Sequence, residues 1–146
     1  MSLPKPVPGL VISHSYLWAR ENNKGAEEGR KSRPCAIVAA RRIVEGREVV
    51  TVVPITHSAP ADHADAIEIP APLKTHLGLD EMPSWIIVTE INEFLWPGPD
   101  LRPIPPGTKP SRFDYGMLPP RFYAHLRDRI LQVHTSRALH RTQRTE

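Results

Sequence analysis

Residues 33–58 read RPCAIVAARRIVEGREVVTVVPITHS, two apolar runs separated by Glu45, Gly46 and Arg47. The runs, 35–43 and 48–55, are rich in β-branched residues, and the EGR segment between them suits the tight turn of an antiparallel hairpin. With Glu45 and Gly46 as the central pair, Cys35 is expected to face Thr56, and Arg33 to face Ser58. Opposed residues share a face, so Arg33, Cys35, Thr56 and Ser58 fall on one side at the open end of the hairpin, Arg33 diagonal to Thr56. One extra residue in either strand would send Arg33 and Thr56 to opposite faces.

Outward from the hairpin, the 17 prolines fall between apolar runs and not within them, which is the punctuation of a mainly β chain. Residues 7–13, 66–69 and 85–91 supply three further strands, and five short strands suggest a small barrel. APLKTHLGL, residues 71–79, reads as a brief helical turn. The segment 96–120 is rich in Pro and Gly and reads as an ordered loop or excursion. Pro119 and Pro120 suit the first turn of a helix whose apolar stripe is Phe122, Leu126, Ile130 and Val133, with Arg121, Arg127, Asp128 and Arg129 on the opposite face. Residues 1–134 thus form one domain, and 135–146 a basic tail with too little apolar content to be held down.

The chain of 146 residues, 40% hydrophobic, has material for one modest core. It contains no apolar run long enough for a signal peptide or a membrane span, so the cytoplasm is the expected compartment. The single cysteine, Cys35, cannot form an internal disulfide and reads as a small buried apolar residue. Net charge is +3, and the excess belongs to the C-terminal part, where the arginines from Arg121 onward outnumber Asp128 and Glu146. Such an end suits an anionic partner such as nucleic acid; it equally suits a solvated helix face followed by a frayed tail.

The apolar strand at 48–55 gives way to Thr56, His57 and Ser58, three hydrogen-bonding side chains. Serine-nucleophile chemistry would need His57 and Ser58 to meet, yet neighbours in a strand point apart. A metal site drawn from His57, Asp62, His63 and Asp65 lacks the spacing of a defined zinc or calcium motif, and no cofactor motif is present. Arg33 with Thr56 fits phosphate: the guanidinium is a planar fork for two oxygens, and the hydroxyl donates to a third. RNA cleavage asks little more, because the ribose 2′-hydroxyl is the nucleophile and preorganised donors stabilise the phosphorane charge without a metal. On residues alone, a strand-edge ion pair for Arg33 and a turn cap for Thr56 remain open. Trp18 and Tyr16, in the first loop, either stack on unpaired bases or tuck against the barrel. Trp85 reads as core, and Trp96 as packing at a barrel end or a dimer interface. His57 would point away from Thr56 if the strand continued through it.

The order PGLVI, a polar loop with acidic residues and glycine, SRPCAIV, VTVVPITHS, HLGL, SWIIVTEIN and a closing helix resembles the MazF/PemK-like plasmid-maintenance toxins. The resemblance runs from Pro8 to about Leu131. Its most specific parts are the Arg-Pro entering the second strand and the strand ending in Ile-Thr. It implies a small SH3-like barrel of the CcdB/PemK type with a C-terminal α-helix, a homodimer, a cognate antitoxin as partner, and metal-independent, sequence-selective cleavage of single-stranded RNA that leaves 2′,3′-cyclic phosphates. By the same resemblance Arg33 matches the arginine of proton transfer and phosphate binding, and Thr56 the threonine that stabilises the reacting phosphate. Where the family carries a Ser-Glu-Gln-like loop, this chain has KGAEEGRKSRP with no glutamine. Glu28, Lys31 and Ser32 are its candidate substrate contacts, beside Trp18, His57 and Ser58. The alternative from a different class is a binding module of the same fold that inhibits a protein target such as gyrase.

Overall fold

The structure, a computed structural model, describes residues 4–18, 33–96, 101, 104, 113–136 and 140–143. The hairpin forms as β2 (Arg33–Val44) and β3 (Arg47–Thr56). Glu45 and Gly46 have φ of 53° and 79°, the left-handed pair that a two-residue turn needs. Beside the turn the expected register holds, with Val44 opposite Arg47 and Ile43 opposite Glu48. Two bulges then shift it. Neither Arg41 nor Val38 has an opposite residue, so Ala40 faces Val50, Ile37 faces Val52, and Cys35 faces Pro54 instead of Thr56. Carried two residues further, this register brings Arg33 to Thr56 and not to Ser58. Each bulge alone would invert the faces, and the pair restores them, so Arg33 and Thr56 stay on one side.

β1 (Leu10–His14) is antiparallel to β2. It starts later than expected because Gly9, at φ 95°, turns the chain and lets the Leu10 amide donate to the Val7 carbonyl (3.1 Å). Expected strand 85–91 divides into β5 (Trp85–Ile87) and β6 (Glu90–Trp96). β5 pairs with the end of β3 at Ile55 and Thr56, and β6 with its start from Glu48 to Val52. The break at Val88 and Thr89 is what allows one run of sequence to follow a strand that curls away beneath it. β4 (Ala66–Glu68) lies outside β5.

Two strands arise where none were expected. β7 (Asp114–Met117), inside the proline-rich excursion, pairs with β1, and Leu101 of the same excursion bridges to His14. β8 (His140–Gln143), in the expected free tail, pairs in parallel with β6, and Thr142 is buried there. A parallel neighbour requires a long crossover, which the terminal helix supplies. Five expected strands, one division and two additions make eight, joined in a curled half-barrel sheet, antiparallel except at β8.

Helix α1 (Ala71–Leu77) ends at Gly78, whose φ of 69° lets the Gly78 and Leu79 amides cap Thr75 and Lys74 carbonyls. Helix α2 (Pro120–Ser136) buries Leu126, Ile130 and Val133 of the expected stripe, with Phe122 half-buried, and leaves Arg121, Arg127 and Asp128 exposed; Arg129, expected on that face, is half-buried and donates to the Ala64 carbonyl. The central hairpin is covered on both faces, which explains its nearly continuous apolar runs. Ala36, Val53 and Ile55 pack with Leu73, Leu77 and the α2 stripe; Cys35, Ile37 and Val52 pack with Tyr16, Trp18, Phe94 and Trp96. Burial pushes the Cys35 thiol well up from its ordinary value, so it stays a protonated core group. Trp85, expected in the core, is only half-buried. Among the described residues no helix is long and apolar enough to cross a membrane.

Candidate phosphate site at the end of the central hairpin

Arg33 opens β2 from half-buried ground. Its Nε is buried without a hydrogen-bond partner among the described residues, and its guanidinium carbon lies 5.0 Å from the ring centroid of Trp18. The indole is itself fixed. Fully buried Asn92 donates from Nδ2 to the Leu17 carbonyl and accepts from the Leu17 amide, both at 2.8 Å. Tyr16 meets Trp18 edge-on at 5.1 Å and donates to Glu90 (3.3 Å). Tyr16 is thus a packing residue, and burial raises its hydroxyl well above the usual tyrosine value, with Glu90 adding to the effect.

Thr56 ends β3, and its Oγ1 accepts from the Ser58 amide at 3.1 Å. The two readings of this threonine are therefore compatible: the oxygen caps a turn, while its proton remains available to a ligand. Because the strand stops there, His57 is released from strand alternation. Its Nε2 lies 2.8 Å from Asp80 Oδ2, and its Nδ1 lies 3.0 Å from the Pro83 carbonyl and 3.1 Å from Ser84 Oγ. Asp80 in turn accepts at Oδ1 from Lys74 Nζ (3.0 Å) and the Met82 amide (3.1 Å). Lys74, only 5% exposed, also donates to Ser84 Oγ (2.9 Å) and to the Met82 carbonyl. Desolvation works to raise the Asp80 carboxyl, but the Lys74 hydrogen bond and the charges of His57 and Lys74 outweigh it and hold the group below its ordinary value.

These groups enclose a cavity of about 440 Å³ whose wall includes Trp18, Arg33, Thr56, His57, Ser58, Asp80, Ser84 and Tyr115. Five of the eight candidate site residues therefore meet in one place. The other three, Glu28, Lys31 and Ser32, lie outside the described residues. Within 57–65, Asp62 caps the short 3₁₀ turn His63–Asp65 by accepting from the Ala64 amide (2.9 Å).

Sequence reasoning missed Lys74, Asp80, Ser84 and Tyr115. The Gly78 cap announced that the chain turns back after α1, but no spacing ties Asp80 to a histidine 23 positions earlier. Tyr115 was hidden because its strand lies among prolines. Burial raises its hydroxyl above the usual value, and a Ser13 side-chain hydrogen bond opposes that shift.

A family model described as PemK-like, MazF-like toxin of type II toxin-antitoxin system matches residues 8–94, well over half of the chain. No curated protein matches the chain significantly. The matched span contains the hairpin, Arg33, Thr56 and the His57–Asp80 pair, whereas Tyr115, α2 and β8 lie beyond it. The chain belongs to the PemK-like, MazF-like toxins of type II toxin-antitoxin systems.

Proposed function

We propose that this toxin is a metal-independent, sequence-selective endoribonuclease that cuts single-stranded RNA, leaves 2′,3′-cyclic phosphate ends, acts as a homodimer and is restrained by a cognate antitoxin. The observation that carries the reading is the meeting of Arg33 and Thr56 at one cavity wall, with Arg33 Nε buried and unpaired among the described residues. A buried donor left without an acceptor costs free energy, about 1–3 kcal/mol, that an arriving phosphate oxygen would recover.

In the reaction the ribose 2′-oxygen attacks the adjacent phosphorus, the P–O2′ bond forms, and the P–O5′ bond breaks. Negative charge gathers on the non-bridging oxygens. The Arg33 fork and the Thr56 hydroxyl are the donors for that charge, and both are set beforehand, Arg33 against Trp18 and Thr56 by the Ser58 amide. Trp18 and Ser58 complete the wall against which the strand is held.

The test is incubation of purified toxin and Arg33→Ala, free of antitoxin, with a long single-stranded RNA in excess EDTA. Discrete cuts with cyclic phosphate ends, absent from the variant, are expected. Intact RNA with folded protein in every lane overturns the reading and leaves a binding module aimed at a protein target.

A further inference from the structure

A guanidinium keeps its proton throughout the working pH range, and a threonine hydroxyl is no base. The resemblance gives Arg33 a part in proton transfer, yet a site built from Arg33 and Thr56 alone offers no neutral base to receive the proton that the 2′-hydroxyl loses. Imidazole is the side chain that exchanges a proton near neutrality, and His57 is the one imidazole among the described residues of the cavity wall.

We propose that His57 is the proton acceptor of strand cleavage, reached through Ser84, and that Asp80 is its positioning residue. This rests on the ribonuclease reading above. Asp80 is fixed at Oδ1 by Lys74 and the Met82 amide, so its Oδ2 is a stationary acceptor for Nε2–H, and that contact sets the tautomer with the lone pair on Nδ1. At Nδ1 stand two different partners. The Ser84 hydroxyl, at 3.1 Å, is placed to donate to the lone pair of the neutral ring and otherwise donates to the Met82 carbonyl (3.3 Å); the Pro83 carbonyl, at 3.0 Å, accepts from the protonated ring. Each protonation state of the ring therefore has a partner at Nδ1, with only the Ser84 proton turning toward Met82 when the ring is charged.

Ser84 also reaches the cavity wall. As the P–O2′ bond forms, the 2′-hydroxyl passes its proton to Ser84 Oγ, and Ser84 passes its own to Nδ1. The 5′-oxygen leaves with a proton from solvent, and the imidazolium returns its extra proton to solvent afterwards. The charged or titratable groups around the ring are Asp80 beside it, Lys74 behind Asp80, and Arg33 and Tyr115 across the cavity.

The test measures RNA cleavage against pH for wild type, His57→Ala and Asp80→Asn, with RNA affinity read in parallel and added imidazole as a rescue. The expected result is a fall on the order of 100-fold in cleavage by His57→Ala, affinity retained, and partial recovery with imidazole. For Asp80→Asn cleavage falls while affinity is retained, and Asp80→Glu recovers part of the loss, because the ring needs an acceptor at Nε2 to hold its tautomer. Wild-type cleavage in His57→Ala, or a loss that imidazole does not restore together with undiminished cleavage in Asp80→Asn, overturns the inference and leaves the ribonuclease standing. Absence of cleavage by folded wild type overturns both.

Discussion

The guanidinium carbon of Arg33 sits over the Trp18 ring, 5.0 Å from its centroid, a cation–π contact that holds a planar, two-pronged donor at the cavity wall. Lysine offers a point charge and no fork. Arg33→Lys should retain the fold and lose on the order of 100-fold in RNA cleavage, the cost of one misplaced charge-stabilising donor. Circular dichroism with single-turnover cleavage checks both halves, and near wild-type cleavage by the lysine variant would refute the planar-fork role.

The platform has its own support. Asn92 satisfies both backbone groups of Leu17, one residue before Trp18. Asn92→Leu buries that amide and carbonyl without partners, a loss of roughly 2–6 kcal/mol at about 1–3 kcal/mol per group. Urea denaturation measures it, and the near-ultraviolet signal of the tryptophans should change with it.

Asp80 carries the acid dependence. Its carboxyl is held below the ordinary aspartate value despite desolvation, chiefly by Lys74 and then His57. The stabilisation is therefore complete above the unfolded-state value of about 3.9, and it fades as pH falls through the lower folded-state value. The advantage of wild type over Asp80→Asn in thermal unfolding should be present at about pH 5 and vanish in stronger acid. Because the side chain is 53% exposed, solvent screening keeps the effect modest. An advantage that persisted undiminished at the acid end would assign it to shape instead of charge.

Tyr123 of α2 donates to the carbonyl of Val38 at 3.0 Å, and Val38 is one of the two unpaired bulge residues of β2. The helix thereby supplies the hydrogen bond that the ladder omits. Tyr123→Phe should cost about 1–3 kcal/mol and should raise amide exchange around Val38 more than at Val44, a contrast that exchange mass spectrometry resolves.

Much of this was legible in the chain. The Glu45-Gly46 turn, the two hairpin strands and the α2 stripe rest on local signals: positive φ, β-branched runs, and apolar residues at helical spacing. Arg33 and Thr56 were paired correctly in face and wrongly in register, since Val38 to Arg41 contains no glycine or proline to mark where a strand bulges. The divided strand at 85–91 is continuous in hydrophobicity, and only the curl of β3 separates its halves. β7 and β8 carry too few apolar residues to declare themselves, and their pairing comes from neighbours distant in sequence. Asp80 and Lys74 carry no local signal, because burial of a lysine depends on acceptors that tertiary structure supplies.

The two bulges make the spacing between turn and site an arithmetic constraint on mutation. A single-codon deletion or insertion within residues 38–41 would leave every side chain intact in composition, yet would rotate Arg33 to the far surface of the sheet while Thr56 remained behind. Two such changes together would bring it back. Length variants of this strand should thus survive in even steps, so that toxicity in a library of inserted and deleted alanines would alternate on and off with the count.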